Sequence, residues 1–268
     1  MIAPAARRVQ RAFSKAARSY DAAAEIQRRV VGELLAQLPA DCCPATMLDL
    51  GCGTGSAFSG LLARHPASTL IGLDFSESVL HRAPTLNNLQ KIGGNATLLP
   101  LADASVDCVF SSLALQWCPL DTALAEARRV MRPGATLAFS TLTGETFREL
   151  RLAFAGIDDA PHALPLLTPE AIFGATRKAG FSSFNTTRIT HIVWFDSVRT
   201  LFDSIRQTGA SEVTTQETPA RTRRRGLLGK AAYARIEQRL QALADSIGRL
   251  PLTYDVLYLV GRIPETRP

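Results

Sequence analysis

The sequence predicts an α/β fold, with a mostly parallel sheet of seven strands, helices on both faces and a helical insertion near the end of the chain. Three observations lead to this prediction. Apolar runs of strand length alternate with segments of helical period. A glycine-dense turn at residues 51–55 follows the first of these runs. The chain has 268 residues, of which 46% are hydrophobic, so it can bury a large core within one domain.

The elements of the first half alternate regularly between strand and helix. Strands are predicted at residues 46–50, 70–74, 106–111 and 135–140, with a weak strand within 83–93. Helices are predicted at residues 56–64, at 77–81 after the capping residue Ser76, and at 120–131 before Pro133 and Gly134. The run at 135–140 is continuously apolar, which is typical of a central strand covered on both faces.

The second half is less regular and contains the insertion. Helices are predicted at residues 145–155, 169–179, 196–207 and 227–247, strands at 186–195 and 252–263, and a polar loop at 209–221. About 55 residues separate the last two strands, and the helices between them have no place in the sheet. We therefore divide one domain, residues 1–268, into an N-terminal helical lid (1–40), a ligand-binding core (41–195), a helical lid insertion (196–248) and a final strand (249–268). Substrate choice is expected in the insertion.

The turn after the first strand predicts a nucleoside site. Residues 47–55 read Met-Leu-Asp-Leu-Gly-Cys-Gly-Thr-Gly, and Asp74 ends the second strand 23 residues after Gly51. A dinucleotide fingerprint needs its third glycine at the sixth position, which here is Ser56, and the turn lacks the Lys of a P-loop. A dinucleotide-binding turn and a P-loop are therefore both disfavoured. The remaining alternative to a nucleoside site is a tight turn with no ligand.

At these residues the chain resembles the class I S-adenosylmethionine-dependent methyltransferases. The resemblance implies their Rossmann-like fold and S-adenosyl-L-methionine as the cofactor. The glycine turn would pass under the amino-acid part of the cofactor, and Asp74 would bind the ribose. Asn95 departs from the acid usual at the adenine amino group, although its amide oxygen can also accept a hydrogen bond. The resemblance implies the following cofactor-binding residues: Asp49, Gly51, Cys52, Gly53, Gly55, Asp74, Phe75, Asn95, Ala96, Ser111 and Leu113.

Four further segments narrow the resemblance, namely residues 13–20, 111–118, 161–163 and 251–254. Together they resemble the malonyl-acyl-carrier-protein O-methyltransferases of biotin synthesis, which methylate the free carboxylate of a malonyl thioester. Such a carboxylate is ionised at neutral pH, so the reaction requires no general base. Tyr20 is predicted to close over the cofactor, Gln116 and Trp117 to shape the pocket for methyl transfer, and His162 to contact the substrate. Ser112, where Asn is frequent, is a second departure.

Charge predicts the partner. The flanks are basic, with 7 Lys or Arg against 2 Asp or Glu in residues 1–30 and 10 against 4 in residues 221–268. Arg199 and Arg206 are candidates to fix the malonyl carboxylate. Arg223, Arg224, Arg225 and Lys230 are candidates to meet an acidic carrier protein or the phosphates of its pantetheine arm. The expected substrate is malonyl-acyl carrier protein or malonyl-CoA, and nucleic acid is disfavoured because no aromatic residues are interleaved with the basic ones.

Composition also predicts the compartment. Five cysteines without a Cys-x-x-Cys pair, among four scattered histidines, favour a reducing cytosol over a disulfide framework or a zinc site. No apolar run approaches the roughly 20 residues that span a bilayer, so no membrane partner is expected. Residues 1–20, which are basic and contain no acid, could also be a transit peptide, but the helical pattern continues through Leu38 without a cleavage-like break, which disfavours that interpretation.

Two other functions remain open from the sequence. One is methylation of a small free polycarboxylate such as aconitate, for which the basic insertion is unnecessary. The other is a protein that keeps the fold and binds the cofactor but serves as an assembly factor or hydroxylates its partner.

Overall fold

The computed structural model describes residues 21–157, 165–207 and 229–265. These residues form two compact units. The larger unit contains the described residues of 24–143, 166–189 and 256–265, and the smaller contains those of 21–23, 144–165 and 190–255. The boundaries of the predicted lids and core stay a prediction.

The described residues contain one seven-stranded sheet. Its strands are Thr46–Leu50 (β1), Thr69–Asp74 (β2), Leu89–Gly93 (β3), Val106–Ser112 (β4), Met131–Leu142 (β5), Phe184–Phe195 (β6) and Leu250–Arg262 (β7). Their order is β3-β2-β1-β4-β5-β7-β6. Strands β1 to β5 pair in parallel, and β7 is antiparallel to β5. The predicted mostly parallel sheet is confirmed.

Among the described residues, one helix precedes the first strand and the others connect the strands. The helices are Asp21–Gln37 (α1), Phe58–Arg64 (α2), Glu77–Leu80 (α3), Leu120–Val130 (α4), Arg148–Phe154 (α5), Pro169–Lys178 (α6), Val198–Gln207 (α7) and Lys230–Gln241 (α8). Helix α4 shows why they pack, since five apolar residues at helical spacing are buried: Leu120, Ala123, Leu124, Ala127 and Val130. Helix α1 also belongs to this core, because Val30 and Leu34 are fully buried and the hydroxyl of Tyr258 donates to Glu33.

Strand β5 begins four residues earlier than the sequence predicts. Pro133 and Gly134 were expected to separate helix from strand, but Met131 already pairs with Val106. The register then shifts, so that Cys108 pairs with Thr136, and Gly134 takes a positive φ of 78° within the irregular stretch. A bulge of this kind is one of the places where a sheet accepts proline.

Helix α8 ends at Gln241, so the prediction that it continues to residue 247 is wrong. The side chain of Asp245 accepts hydrogen bonds from the backbone N–H of Ile247, at 3.1 Å, and of Arg249, at 2.8 Å. Gly248 has a φ of 84°. An aspartate that binds nearby backbone amides offers the chain an alternative to helix, and here it builds a turn before β7. The predicted loop at 209–221 lies outside the described residues.

Candidate functional site

The carboxyl ends of β1, β2 and β4 adjoin one another because these strands are neighbours in the sheet. The glycine turn leaves β1 and is attached to β2, since the N–H groups of Gly51 and Cys52 donate to the carbonyl of Leu73, at 2.7 and 3.0 Å. Open α/β sheets bind ligands at this edge. The site residues predicted from the turn therefore share one location with Asp74.

The three glycines of the turn have different surroundings. All have positive φ values, 75° for Gly51, 57° for Gly53 and 80° for Gly55. A Cβ atom on Gly51 would lie 2.3 Å from the Cβ of Ala114, and one on Gly55 would lie 2.4 Å from the ring of Phe58. A Cβ on Gly53 would meet no described atom within 4 Å. Gly51 and Gly55 thus allow close packing, whereas Gly53 presents bare backbone to open space.

Asp74 is held by backbone amides of the turn and of its own strand end. Its Oδ2 accepts from the N–H of Gly53 at 2.9 Å, and its Oδ1 accepts from the N–H of Ser76 at 2.8 Å. Burial raises the pKa of Asp74, and these amides oppose that rise because they stabilise the ionised form. A carboxylate oxygen has two lone pairs, so each oxygen can accept a further hydrogen bond from a ribose hydroxyl. Phe75, the next residue, is half-buried.

Asp49 lies at the end of β1 with only 2% of its surface exposed. Its Oδ2 is buried and has no hydrogen-bond partner among the described residues. Burial, followed by the negative charge of Asp74, raises the pKa of Asp49 to about 8. An unpartnered buried carboxylate oxygen is costly, and a ligand that brings a cation or a donor would remove that cost. Cys52, beside it, is buried, and burial raises the pKa of its thiol, so its contribution is packing.

The end of β4 is fixed by its neighbours on both sides. The hydroxyl of Ser111 donates to the carbonyl of Leu50 at 2.7 Å, which ties β4 to β1. Leu113 has a φ of 51°, and its N–H donates to the carbonyl of Ser140 on β5 at 3.0 Å. Ser112 and Ser140 also share a hydrogen bond at 3.2 Å between their hydroxyl oxygens. The backbone therefore turns sharply at Leu113, close to the glycine turn through Ala114.

Gln116 and Trp117 follow in a single 3₁₀ turn, Leu115–Trp117. The Nε2 of Gln116 donates to the carbonyl of Leu113 at 2.7 Å, and its Oε1 accepts from the hydroxyl of Thr141 at 3.4 Å. Both Gln116 and Trp117 are half-buried. The Gln116 amide is thus oriented by two strand ends, and the assigned roles of both residues stay predictions.

Asn95 makes a local turn. Its Oδ1 accepts from both the N–H and the hydroxyl of Thr97, at 3.0 and 2.9 Å, and its side chain is exposed. The neighbouring Ala96 packs against the core. The amide oxygen that was expected to receive the adenine amino group already has two donors, which is the geometry of an Asx turn.

The substrate-binding candidates are described only in part. Arg199 lies on α7 with 89% of its side chain exposed, and its Nε is 3.9 Å from the Asp203 carboxylate. Arg206 lies on α7 and Lys230 on α8. The following candidates lie outside the described residues: Tyr20, His162, Arg223, Arg224 and Arg225. These assignments stay predictions.

Three polar residues were missed by the sequence reasoning, two at the end of β5 and one on α5. Ser140 and Thr141, at the carboxyl end of β5, contact Leu113 and Gln116, and only their position after a buried strand could have indicated this. Glu149, in the smaller unit, is 4% exposed and accepts hydrogen bonds from the backbone N–H of Thr253, at 3.0 Å, and from its hydroxyl. Thr253, which belongs to the segment 251–254 that the resemblance uses, therefore has a structural role.

The described residues show no cluster that could hold a metal ion and no helix long and apolar enough to span a membrane. They do suit a nucleoside with a cationic substituent. Asp74 offers acceptors, Gly53 offers open backbone, and the unpartnered oxygen of Asp49 suits a positive charge.

Comparisons with known proteins agree with this geometry. A family model described as a methyltransferase domain matches residues 48–139. The YcgJ protein from Bacillus subtilis has a TM-score of 0.61 at 16% identity, with 89% of this chain and 99% of that one covered. The [4+2]-cyclase SpnF has a TM-score of 0.53 at 20% identity, with 89% and 82% covered. At these identities the structures establish the fold alone.

Sequence relatives are more specific. The malonyl-[acyl-carrier protein] O-methyltransferase of Dechloromonas aromatica (strain RCB) is 38% identical, over 97% of this chain and 95% of the relative. That of Herminiimonas arsenicoxydans is 37% identical, over 92% of each chain. Because these matches extend over nearly the full length of both proteins, the chain belongs to the family of malonyl-[acyl-carrier protein] O-methyltransferases.

Proposed function

We propose that the protein transfers a methyl group from S-adenosyl-L-methionine to the free carboxylate of a malonyl group carried as a thioester on acyl carrier protein. One observation carries the proposal, the near full-length similarity to relatives that bear this name. The product would be the malonyl methyl ester that primes synthesis of the biotin precursor.

The described residues account for how the cofactor would be held. Asp74 would accept the ribose hydroxyls while the amides of Gly53 and Ser76 keep its carboxylate in place. The bare backbone at Gly53 would lie against the amino-acid part, and Asp49 would face a positive charge. When bound, S-adenosyl-L-methionine supplies an electrophilic methyl group.

The protein's own contribution is alignment and exclusion of water. A malonyl carboxylate with a pKa near 4 is ionised at neutral pH, so no side chain has to remove a proton. Gln116 and Trp117 would shape the pocket, with the Gln116 amide held by Leu113 and Thr141. Water around the carboxylate must be displaced, because its charge disappears in the transition state. Tyr20 and His162 would contribute to closure and substrate contact.

Cations would select the carrier. Arg199 or Arg206 would fix the malonyl carboxylate, and Arg223, Arg224, Arg225 and Lys230 would meet the acidic carrier protein or the phosphates of its pantetheine arm. The same charges would attract malonyl-CoA, so we propose it as the competing substrate.

The test is incubation with methyl-labelled S-adenosyl-L-methionine and, in parallel, malonyl-acyl carrier protein, malonyl-CoA or aconitate. We expect a base-labile labelled ester, formed fastest on the carrier protein. Label on aconitate alone would overturn the proposed substrate, and label on none would favour a binding protein without transferase activity.

The carrier surface is tested by reversing the charges of Arg223, Arg224 and Arg225 to Glu. We expect a higher KM for malonyl-acyl carrier protein and a weaker dependence of kcat/KM on salt, because electrostatic attraction speeds association. The matched control reverses three exposed cations outside the basic flanks, Arg177, Lys178 and Arg188. An equal effect of the control would show that carrier binding is not specific to residues 223–225.

A further inference from the structure

The feature that the proposed function leaves unexplained is the buried carboxyl group of Asp49. It is 2% exposed, its Oδ2 has no partner among the described residues, and the negative charge of a second carboxyl group, the half-buried Asp74, acts on it. Two carboxylates in one low-dielectric site cannot both ionise cheaply, so one of them holds a proton at a pH where both are ordinarily charged.

The hydrogen bonds decide which of the two is protonated. Asp74 receives the N–H groups of Gly53 and Ser76, one on each oxygen, and backbone donors favour the ionised form. The Oδ2 of Asp49 receives no donor from the described residues and faces the negative charge of Asp74. The hydrogen bonds therefore favour the charge on Asp74 and the proton on Asp49.

The other titratable groups around Asp49 reinforce this distribution. The charge of Asp49 acts on Cys52 in the glycine turn and on Cys108 on β4. Burial raises the pKa of the Cys52 thiol, and a hydrogen bond with Cys42, followed by burial, raises the pKa of the Cys108 thiol, so neither supplies a positive charge. Among the residues that the structure describes, the group acting on Asp49 through its charge is Asp74, and no Lys, Arg or His acts on it. A counter-cation for Asp49 has to come from a ligand.

We propose that Asp49 is protonated in the free protein and loses this proton when the cationic amino-acid end of the cofactor binds. The inference rests on the proposed function, since it needs a bound cofactor of this class. The proton passes from the Asp49 carboxyl to solvent buffer, and the ligand's ammonium group takes its place as the partner of the carboxylate. No other bond forms or breaks. Asp49 is thus a positioning residue that couples cofactor binding to pH.

Calorimetry measures the coupling without turnover. Binding heats for S-adenosyl-L-methionine are compared at pH 7 in buffers of different ionisation enthalpy. With the pKa of Asp49 at about 8, we expect release of about 0.9 proton per bound ligand. Between pH 6 and 7, where an α-amino group stays mostly protonated, Kd should fall about tenfold. S-Adenosylhomocysteine, which keeps the amino-acid end, should release the same proton, and 5′-methylthioadenosine, which lacks it, should release none.

The Asp49→Asn variant tests whether Asp49 is the source. Asn imitates the protonated carboxyl in size and charge, so the variant should fold, bind the cofactor with a Kd that varies little between pH 6 and 7, and release no proton. Infrared difference spectra should show loss of a carboxylic-acid C=O band on binding in the wild type but not in the variant.

The outcomes separate the two proposals. If the wild type binds the cofactor without releasing a proton, or if Asp49→Asn releases as much as the wild type, the inference is wrong and the proposed function stands. Proton release on binding of 5′-methylthioadenosine would overturn the role of the amino-acid end. So would proton release with S-adenosyl-L-methionine but none with S-adenosylhomocysteine, because both ligands carry that end. If the wild type binds no cofactor at all, both proposals fail together.

Discussion

Substitution of Gly53 by Ala separates the two tasks of the glycine turn, which are folding and ligand approach. Gly53 has a φ of 57°, and a Cβ there would meet no described atom within 4 Å. A left-handed conformation costs a residue with a Cβ roughly 1–2 kcal/mol. Alanine also restricts the unfolded chain more than glycine does, and this offsets about 0.4–1 kcal/mol of the cost. We expect a loss of about 1 kcal/mol in the free energy of unfolding, which corresponds to a fall in Tm of about 2–4 °C for a chain of this size.

Binding should suffer much more than folding. The new methyl group would occupy the open space against which the cofactor is proposed to lie, and carbon atoms approach no closer than about 3.5 Å without repulsion. We expect Kd for S-adenosyl-L-methionine to rise at least tenfold, or about 1.4 kcal/mol. The assays are thermal unfolding of the free protein and calorimetric titration with the cofactor.

Gly156 offers a matched control. Its φ is 66°, and a Cβ there would also meet no described atom within 4 Å, but it lies beyond α5 in the smaller unit. Gly156→Ala should therefore lose about the same stability and keep wild-type affinity. Unchanged affinity in Gly53→Ala would show that the open space beside Gly53 does not receive the cofactor. Equal losses of affinity in both variants would show that the effect is a general one of stability.

Three further predictions concern stability. The raised pKa of Asp49 means that the native state binds more protons than the unfolded state, so its contribution to stability is lost as pH rises from about 4 through 8. In urea titrations, Asp49→Asn should reduce the slope of the free energy of unfolding against pH by up to about 1.4 kcal/mol per pH unit. Parallel pH profiles of wild type and variant would contradict this. Glu149→Gln should cost about 1–3 kcal/mol, because the amide has one acceptor oxygen, for the Thr253 N–H, and its N–H₂ would face the Arg148 Nε–H, which can only donate. Thr253→Val should cost less, because Oε2 keeps the backbone N–H and Oε1 keeps Arg148; equal costs would count against the buried carboxylate as the cause. Arg129 bonds Glu126 and the carbonyls of Leu99 and Leu101, and Lys cannot reproduce that fork, so Arg129→Lys should lower the free energy of unfolding by about 1–3 kcal/mol. An unchanged urea midpoint would refute this last prediction.

Most of the sheet was predictable because its strands are continuous apolar runs with turns between them. β1 matches its predicted range, and β2 begins one residue earlier. The start of β5 was not predictable, since Pro133 and Gly134 are strong local signals for a break and only pairing of Met131 with Val106 overrides them. The end of α8 was missed for a similar reason. Asp245 stops it with side-chain hydrogen bonds, and a helical pattern does not reveal such bonds.

The sequence alone determined the glycine turn and the acid at the end of β2, because these depend on residue types at short spacing. It indicated the family through a resemblance carried by short segments spread over nearly the whole chain. It could not determine which carboxyl group is ionised. That depends on Asp74 receiving the amide of Gly53, 21 residues away along the chain, and on the Oδ2 of Asp49 receiving no donor from the described residues. Such contacts exist only once β1 and β2 lie side by side in the sheet and exclude water from the space between them. The tertiary structure therefore decided that a cofactor site recognisable from the sequence contains one charged and one protonated carboxyl group.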